Sequence, residues 1–571
     1  MDWNGSRTRL TKPEETMGDH CDFLRSLRAS AVGAVALCLA TASVMPAPAL
    51  AADTVQTVTP IKHLVVIFQE NVSFDHYFAT YPTALNPVGE PRFHATEGTP
   101  TVNGLGTLVG GEPQGVLLTD NPNANNPANG ANAINPFRLD RSQASTCDQD
   151  HNYGPEQLAY DQGVMDAFPA NTGVGESTFC AAQFAYGKDK GLVMGYFDGN
   201  TVTALWNYAQ HFAMNDNSYI TTFGPSTPGL ANLVAGNTFP ATPSAPNAKV
   251  VPNNAGPGTL VGDLDPTGDV CSTGTTVRLG GQNIGDLLNA KGVSWGAFMG
   301  GFDLTVTNKD GSTGCNRQSP ATPANGGPTK DYIPHHAFFQ YWTSTANPLH
   351  TRPASLNEIG HAGAANHQYD LQDFFAALNA GKLPSVSILK AVAAGDGHAG
   401  YSDPLLEQSL MLVPTVNAIM RSPFWDSTAI IILYDDSDGW YDHQMGPVVN
   451  PSAVNTGVAN DSDELNAPGR CGNGKPLSGI EGRCGYGMRQ PFLVVSPFAK
   501  RNFVDHTLTD QSSVIRFIED NWGTGQIGGG SYDQIAGTLT NMFDFDGGDR
   551  SAERRLILDE STGLSRAGDV R

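Results

Sequence analysis

Two adjacent carboxylates follow an apolar segment in the second half of the chain. The segment AIIILY at 429–434 is short and rich in isoleucine, which is typical of a buried strand, and Asp435 and Asp436 come directly after it. Adjacent carboxylates repel each other at neutral pH, and a cation between them removes the repulsion. The segment DDSDGWYDH therefore predicts a cation site, with a solvated acidic turn as the alternative.

A second pair of oxygen donors stands after another apolar segment. The segment IKHLVVIFQ at 61–69 predicts a buried strand, and Glu70 and Asn71 follow it directly. In a parallel sheet, functional groups gather beyond the carboxyl ends of the strands, so we expect this pair to lie near Asp435 and Asp436. The alternative for ENVSFDHYF is a helix N-cap followed by a buried aromatic cluster.

Ser226 lies in a rigid turn, FGPSTPG at 223–229, just before a predicted helix. A serine at such a turn can present its hydroxyl as a nucleophile, and the backbone N–H groups there can hold a phosphoryl oxygen. Thr227 is a competing nucleophile. Taken alone, the segment favours an ordinary Ser/Thr N-cap, which is common in proteins.

Histidines form a fourth group that can act on an anionic substrate. They are His151 in DHNY, His335 and His336 after Pro334, and His398 in GHAG. Histidine donates hydrogen bonds to phosphate oxygens, adds positive charge when protonated, and can protonate a leaving alkoxide. For any one of these residues, a role at the surface or in the core is the alternative.

The elements that position these residues follow from the same patterns. A third buried strand is predicted at 492–496, and helices are predicted at 202–212, 370–380, 405–420 and 511–521, the last with Asp510 as its N-cap. Buried strands that alternate with helices imply a largely parallel sheet covered on both faces, which is an α/β fold.

Several regions lack long periodicity. Residues 84–135 and 240–330 are rich in Asn, Gly, Pro and Thr, and we expect elaborate loops or a small cap over one end of the sheet. The acidic segment 450–485 is interpreted as a third insertion. The catalytic domain is predicted to span 52–549, followed by a charged, peripheral tail at 550–571.

The N-terminus resembles an export signal. Arg25 and Arg28 precede an uncharged apolar run at 29–45, and a small-x-small pattern ends at Ala51. We expect residues 1–51 to be a leader and signal peptide that is removed, and the mature protein to be periplasmic or extracellular. A membrane anchor is the alternative, although the apolar run is short for a span.

The cysteines fit an oxidising compartment. Cys21 and Cys38 belong to the leader, and six cysteines remain. Our hypothesis is that neighbours pair in sequence, which gives disulfides 147–180, 271–315 and 471–484. A zinc–cysteine site is the alternative, but the chain has no Cys-x-x-Cys motif.

The formal net charge of −23 limits the partners of this protein. An acidic surface repels nucleic acid phosphates, and no basic stripe is present, so we expect no nucleic acid partner. A small phosphate ester or phospholipid substrate would need a local cation, and a metal ion is the obvious one. We expect contact with a membrane surface to be transient at most.

Six segments occur in an order that resembles the bacterial phospholipase C and acid phosphatase family of phosphoesterases. They are ENVSFDHYF, TFGPSTPG, PHHAFFQYW, GHAGYSDP, DDSDGWYDH and YGMRQPFLVVSPFAK, and the resemblance runs from about Ile61 to Phe545. The family is similar to the alkaline phosphatase superfamily. The resemblance therefore implies a three-layer α/β/α sandwich with a loop-rich cap, a nucleophilic Ser or Thr, and a bound metal ion.

The resemblance also implies a role for each matching residue. Ser226 matches the nucleophile. The implied metal ligands are Glu70, Asn71, Ser226, Asp435 and Asp436, and the histidines implied around the phosphate are His335, His336, His398 and His151. Val72 stands where the family commonly has arginine, which changes a neighbour of the ligands and not a ligand.

The sequence thus predicts a secreted, metal-dependent phosphoric ester hydrolase that forms a phosphoserine. Its substrates would be phosphomonoesters or phospholipid head groups. Oxygen donors suit Ca²⁺, Mg²⁺ or Mn²⁺, and Zn²⁺ remains open. A sulfatase is disfavoured because the Cys-x-Pro-x-Arg pattern is absent. The alternative from another class is a catalytically inactive, exported binding protein on the same fold.

Overall fold

The computed structural model describes residues 55–175, 189–253, 256–320, 327–546 and 554–570. The predicted leader with its cleavage site, and Cys180 of the predicted 147–180 disulfide, lie outside these residues. Within the described ranges, no helix is both long and apolar enough to span a lipid bilayer.

An eight-stranded mixed sheet forms the centre of the fold. In chain order its strands are β1 (His63–Gln69), β2 (Ala213–Asn215), β3 (Trp295–Met299), β4 (Gln368–Asp370), β5 (Val386–Lys390), β6 (Thr428–Tyr434), β7 (Phe492–Val495) and β8 (Phe503–Asp505). Across the sheet the order is β4-β3-β5-β1-β6-β7-β2-β8. The two strands that precede the predicted oxygen donors, β1 and β6, are therefore neighbours.

The prediction of a largely parallel sheet is confirmed, with one strand reversed. Strand β1 is parallel to both of its neighbours, with Val66 opposite Ile388 of β5 and Ile67 opposite Ile432 of β6. Strand β7 is antiparallel to β6 and β2. As a result, the N-terminal end of β7, and not its C-terminal end, lies beside the end of β6.

Helices cover both faces of the sheet. The main helices are α1 (Phe74–Phe78), α2 (Tyr153–Ala159), α3 (Thr203–His211), α4 (Ser226–Ala235), α5 (Ile284–Lys291), α6 (Leu371–Asn379), α7 (Val413–Arg421) and α8 (Ser512–Trp522). Consecutive strand residues point to opposite faces, and every residue of β5, β6 and β7 is buried. The α/β/α fold class is therefore confirmed.

Two of the predicted helices differ in detail from the observed ones. The segment predicted as a helix at 405–420 consists of Pro404–Leu406, a π-helical stretch at Glu407–Leu412, and α7. Helix α8 has Gln511 as its N-cap, and not Asp510 as predicted. The Asp510 carboxylate still accepts a hydrogen bond from the Ser512 N–H at 3.1 Å, which explains why an acidic residue precedes this helix.

The long loop regions contain small elements of their own. Between 240 and 330 a five-stranded sheet is formed by Ala241–Pro243, Val250–Asn253, Gly256–Leu260, Asp265–Pro266 and Thr276–Leu279. The region 84–135 contains a hairpin, Thr107–Val109 with Glu112–Gln114, and the short helices Val116–Thr119 and Pro122–Asn125. The predicted disulfides Cys271–Cys315 and Cys471–Cys484 are confirmed.

The last described segment is not peripheral along its whole length. Leu556–Leu558 forms a strand that contacts α7, and Leu558 has no solvent exposure. The Asn417 side chain of α7 donates to the Leu558 carbonyl at 2.9 Å and accepts from its N–H at 3.1 Å. The charged residues of 550–571 predict a peripheral tail, but the three consecutive apolar residues LIL within this segment pack against the domain.

Replacing Leu558 tests whether this segment contributes to the stability of the domain. Because its side chain is fully buried, we expect Leu558→Ala to lower the free energy of unfolding by about 2–5 kcal/mol. The control is Leu410→Ala, at a leucine that is 48% exposed, where we expect a change below about 0.5 kcal/mol. Urea denaturation measures both, and equal effects in the two variants would contradict the packing described.

Candidate active site

The predicted oxygen donors meet at one edge of the central sheet. Strands β1 and β6 are parallel and in register, with Gln69 opposite Tyr434, so Glu70 and Asp435 leave their strands side by side. Glu70, Asn71, Asp435 and Asp436 are all 0–1% exposed. The alternative of a solvated acidic turn is therefore wrong for DDSDGWYDH.

The alternative interpretation of ENVSFDHYF, a helix N-cap followed by a buried aromatic cluster, also holds. The Ser73 hydroxyl accepts a hydrogen bond from the His76 N–H and caps α1, and the aromatic side chains of α1 are buried. The helix cap and the oxygen donors therefore coexist in ENVSFDHYF, because they use different residues.

Ser226 is the first residue of α4, and its side chain points at two carboxylates. Its Oγ lies 3.1 Å from Oε2 of Glu70 and 3.2 Å from Oδ2 of Asp436. The N-cap of α4 is Pro225, so the Ser226 hydroxyl does not cap the helix. In the turn before it, Gly224 adopts a φ of +114°, a conformation that L side chains rarely adopt.

Helix α4 is fixed against the end of β6 by close contact. A Cβ atom at Gly229 would overlap the backbone carbonyl of Asp435, so only glycine permits this approach. The contact fixes the start of α4 relative to the carboxylates, and therefore fixes the position of the Ser226 hydroxyl.

Thr227, the competing nucleophile, points elsewhere. Its hydroxyl donates to the backbone carbonyl of His335 at 3.3 Å, and its N–H donates to Oδ1 of Asp263 at 2.9 Å. The N–H of Thr227, which we expected to be available for a phosphoryl oxygen, is therefore already bound to a carboxylate.

Two oxygen atoms of the predicted metal ligands are buried without a hydrogen-bond partner among the described residues. Oδ1 of Asp435 accepts from the N–H groups of Asn71 and Asp436, which fixes the carboxylate, while its Oδ2 has no hydrogen-bond partner among the described residues. Oδ1 of Asn71 is likewise buried and unpaired within the described structure. Asn71 has a φ of +59°, a strained conformation typical of functional positions.

The pKa shifts of the buried carboxyl groups also favour a cation at this site. Burial raises the pKa of the Asp436 carboxyl well above its usual range, and the adjacent Asp435 charge raises it further. Burial also raises the pKa of Asp396 to about 7. Buried carboxylates are costly without a counter-charge, so Glu70, Asn71, Ser226, Asp435 and Asp436 could hold a divalent cation.

A buried lysine that the sequence analysis missed completes the cluster. Lys390, the last residue of β5, forms an ion pair with Oε1 of Glu70 and is 1% exposed. Burial lowers the pKa of its ammonium group, while the carboxylates of Asp435, Asp396 and Asp436 act in the opposite direction. Its position at the end of a short apolar strand was the signal that could have identified it.

Two of the four predicted histidines contact the predicted metal ligands, and a third lies beside one of them. Nδ1 of His336 lies 3.2 Å from Oε1 of Glu70, and Nε2 of His151 lies 3.4 Å from Nδ2 of Asn71. The ring of His398 lies 6.0 Å from that of His151, measured between centroids. Burial lowers the pKa of His336, and the charges on His335, His398 and His151 lower it further.

His335 lies beside His336 and is the most exposed of the four predicted histidines. Its side chain is 32% exposed, its ring centroid lies 4.5 Å from that of His336, and its Nδ1 lies 3.5 Å from Oδ1 of Asp265. The pKa of His151 is shifted in the opposite direction to that of His336. Burial lowers its pKa, but the carboxylates of Asp436 and Asp438 outweigh burial and raise it well above the usual range.

Glu156 of α2 joins the turn before Ser226 to the loop that follows Asp436, and no sequence pattern predicts this role. Its Oε2 accepts from the Gly224 N–H at 3.0 Å, and its Oε1 accepts from the Ser437 hydroxyl at 2.6 Å. Gly224 belongs to the turn before Ser226, and Ser437 follows Asp436. One fully buried carboxyl group therefore couples the position of Ser226 to that of Asp436.

Most of the chain matches a known protein family. Residues 61–525 match the model of the Phosphoesterase family, which confirms the resemblance drawn from the six segments. The chain is 23% identical over 501 residues to Phospholipase C A of Mycobacterium tuberculosis, a match that covers 85% of this chain and 78% of the relative.

Two further matches differ in coverage. The chain is 24% identical over 534 residues to the non-hemolytic phospholipase C of Pseudomonas aeruginosa, covering 92% of this chain and 63% of that relative. Among solved structures, the murine ectonucleotide pyrophosphatase/phosphodiesterase 5 matches with a TM-score of 0.27 and 13% identity, covering 60% of this chain and 95% of that one.

Removing the Glu156 carboxyl group tests its coupling role. Glu156→Ala leaves the Gly224 N–H and the Ser437 hydroxyl without their acceptor, and we expect the free energy of unfolding to fall by about 1–3 kcal/mol. Chemical denaturation measures the loss. The matched control, Glu112→Ala at an exposed hairpin position, should leave stability within about 0.5 kcal/mol of the starting protein. An equally small change at Glu156 would exclude this role.

Proposed function

The chain belongs to the Phosphoesterase family, and on that premise we propose that it is a metal-dependent phosphoric ester hydrolase in which Ser226 is the nucleophile. The observation that carries the proposal is the position of the Ser226 hydroxyl, 3.1–3.2 Å from carboxylate oxygens of Glu70 and Asp436. The buried, unpaired oxygens of Asn71 and Asp435 supply the remaining donors of a cation site.

The reaction begins with attack by Ser226. Its Oγ attacks phosphorus, the bond from phosphorus to the alcohol oxygen breaks, and a phosphoserine forms. Water then attacks the phosphoserine, which releases phosphate or a phosphorylated head group and restores the hydroxyl. A divalent cation bound by the oxygen donors supplies positive charge that lowers the pKa of the Ser226 hydroxyl.

The histidines act on the phosphoryl oxygens and the leaving group. His336 and His151 border the carboxylate cluster, and His398 lies beside His151, so their ring nitrogens can donate to equatorial oxygens as charge develops there. His335, the most exposed of the four, is the one best placed to exchange a proton with solvent and so to protonate the departing alkoxide.

The substrate class is a phosphomonoester or a phospholipid head group. The relatives reported above are named phospholipases C, which supports a lipid substrate. The leader at 1–51 supports export to the periplasm or the extracellular space. The region 240–330, which includes the five-stranded sheet, lies close to the histidines through Asp265, and we propose that it contributes to substrate choice.

Ser226→Ala tests the nucleophile. Because the hydroxyl supplies the attacking atom, we expect kcat on p-nitrophenyl phosphate to fall by about a thousandfold or more. Thr227→Val is the matched control, since the Thr227 hydroxyl donates to a backbone carbonyl and not to the cluster, and it should retain activity within about tenfold. The reverse pattern would make Thr227 the nucleophile, and near-normal turnover of both variants would end the proposal.

Metal removal tests the cation and the substrate class together. Protein treated with a chelator should lose hydrolysis of its substrate and regain it when Ca²⁺, Mg²⁺, Mn²⁺ or Zn²⁺ is restored. Phosphatidylcholine, p-nitrophenylphosphorylcholine and p-nitrophenyl phosphate are assayed in parallel, because the first two report phospholipase C activity and the third reports phosphomonoesterase activity. A protein that contains no metal and cleaves none of the three would instead be the inactive binding protein.

A further inference from the structure

Lys390 is the only lysine or arginine side chain of the described residues that contacts the predicted metal ligands. It extends from the end of β5, beside β1, and its Nζ pairs with Oε1 of Glu70. Its Nζ also lies over the Phe68 ring, 5.5 Å from the ring centroid. Among the described residues, Glu70 is the carboxylate that forms a close ion pair with this ammonium group.

Glu70 divides its two oxygen atoms between different partners. Oε1 faces Lys390 and Nδ1 of His336, whereas Oε2 faces the Ser226 hydroxyl. If Oε1 were not bound, the Glu70 carboxylate could rotate and offer both oxygens to a cation, because Ca²⁺ accepts carboxylates in a bidentate mode. The contacts of Oε1 with Lys390 and His336 therefore keep Oε2 turned towards Ser226.

Several carboxyl groups are buried near the Lys390 ammonium group. Glu70 pairs with it, and the carboxylates of Asp435, Asp396 and Asp436 act on it electrostatically. An ammonium group carried by the chain reduces the repulsion between these carboxylates before any metal ion is bound. It also repels a metal ion that approaches the same carboxylates.

We propose that Lys390 is a positioning residue: its ammonium group contacts Oε1 of Glu70 so that Oε2 faces Ser226, and it limits the affinity of the site for its metal ion. The inference rests on the proposed function only in assuming that Glu70, Asn71, Asp435 and Asp436 bind a metal. It concerns the coupling between a side chain and that metal, so it can be measured without any phosphate ester.

The test compares Lys390→Met, Lys390→Arg and the unchanged protein, each prepared free of metal. Methionine keeps the unbranched shape of the side chain and removes the charge, whereas arginine keeps the charge. Mn²⁺ and Ca²⁺ are titrated separately by calorimetry, and thermal unfolding is recorded with and without each ion. Lys500→Met is the control, because Lys500 also lies over an aromatic ring, that of Phe503, but precedes β8, which is an edge strand of the sheet five strands away from β5.

We expect Lys390→Met to bind Mn²⁺ or Ca²⁺ about tenfold more tightly, because a repelling charge a few ångströms away is removed. Its metal-free form should have a lower Tm than metal-free wild type, and metal should raise the Tm of the variant more than that of wild type. Lys390→Arg and Lys500→Met should follow wild type in both measurements.

Two results would overturn the inference. If Lys390→Met bound metal no more tightly than wild type and lost the same Tm with and without metal, Lys390 would be a structural residue only. If the wild-type protein bound neither ion, the cluster would have no metal for Lys390 to influence. Failure of the proposed hydrolase activity is distinguishable from both, because the titrations give their answer whether or not an ester is cleaved.

Should Lys390→Met fail to fold, Lys390→Gln provides the same comparison with a neutral side chain that retains hydrogen bonding.

Discussion

The structure depends on one physical constraint, which is that several carboxylates are buried together at one edge of the central sheet. Burying an ionised carboxylate costs several kcal/mol when nothing compensates for it. Glu70, Asp435 and Asp436 are essentially inaccessible to solvent, and burial raises the pKa of Asp436. A fold that accepts this cost must provide cations, and the site contains one as Lys390 and has unpaired oxygens suited to another.

The surrounding elements hold this cluster in place by backbone contacts. Parallel register between β1 and β6 sets Glu70 beside Asp435, and the N–H of Asn71 is bound to the Asp435 carboxylate. Helix α4 approaches through Gly229, and Glu156 bonds to the loops on both sides. Because these contacts are made by main-chain atoms or by buried side chains, the geometry around Ser226 is set before a substrate arrives.

Much of this site could be predicted from sequence, because the rule that places functional groups at strand ends is local. Apolar runs identified β1 and β6, and the residues after them were Glu70, Asn71, Asp435 and Asp436. The direction of β7 could not be predicted in this way. A short apolar strand looks the same in either direction, and only its pairing with β6 decides which of its ends lies at the site.

Lys390 and Glu156 show where local patterns stop being informative. Nothing near Glu156 in the chain distinguishes it from an ordinary helical glutamate, because its two partners, Gly224 and Ser437, are 68 and 281 residues away. Lys390 does stand at a strand end, but a lysine there is usually solvated. Its function depends on β5 lying next to β1, a pairing of strands separated by more than 300 residues, and on the acidic neighbours which that pairing brings within reach of its ammonium group.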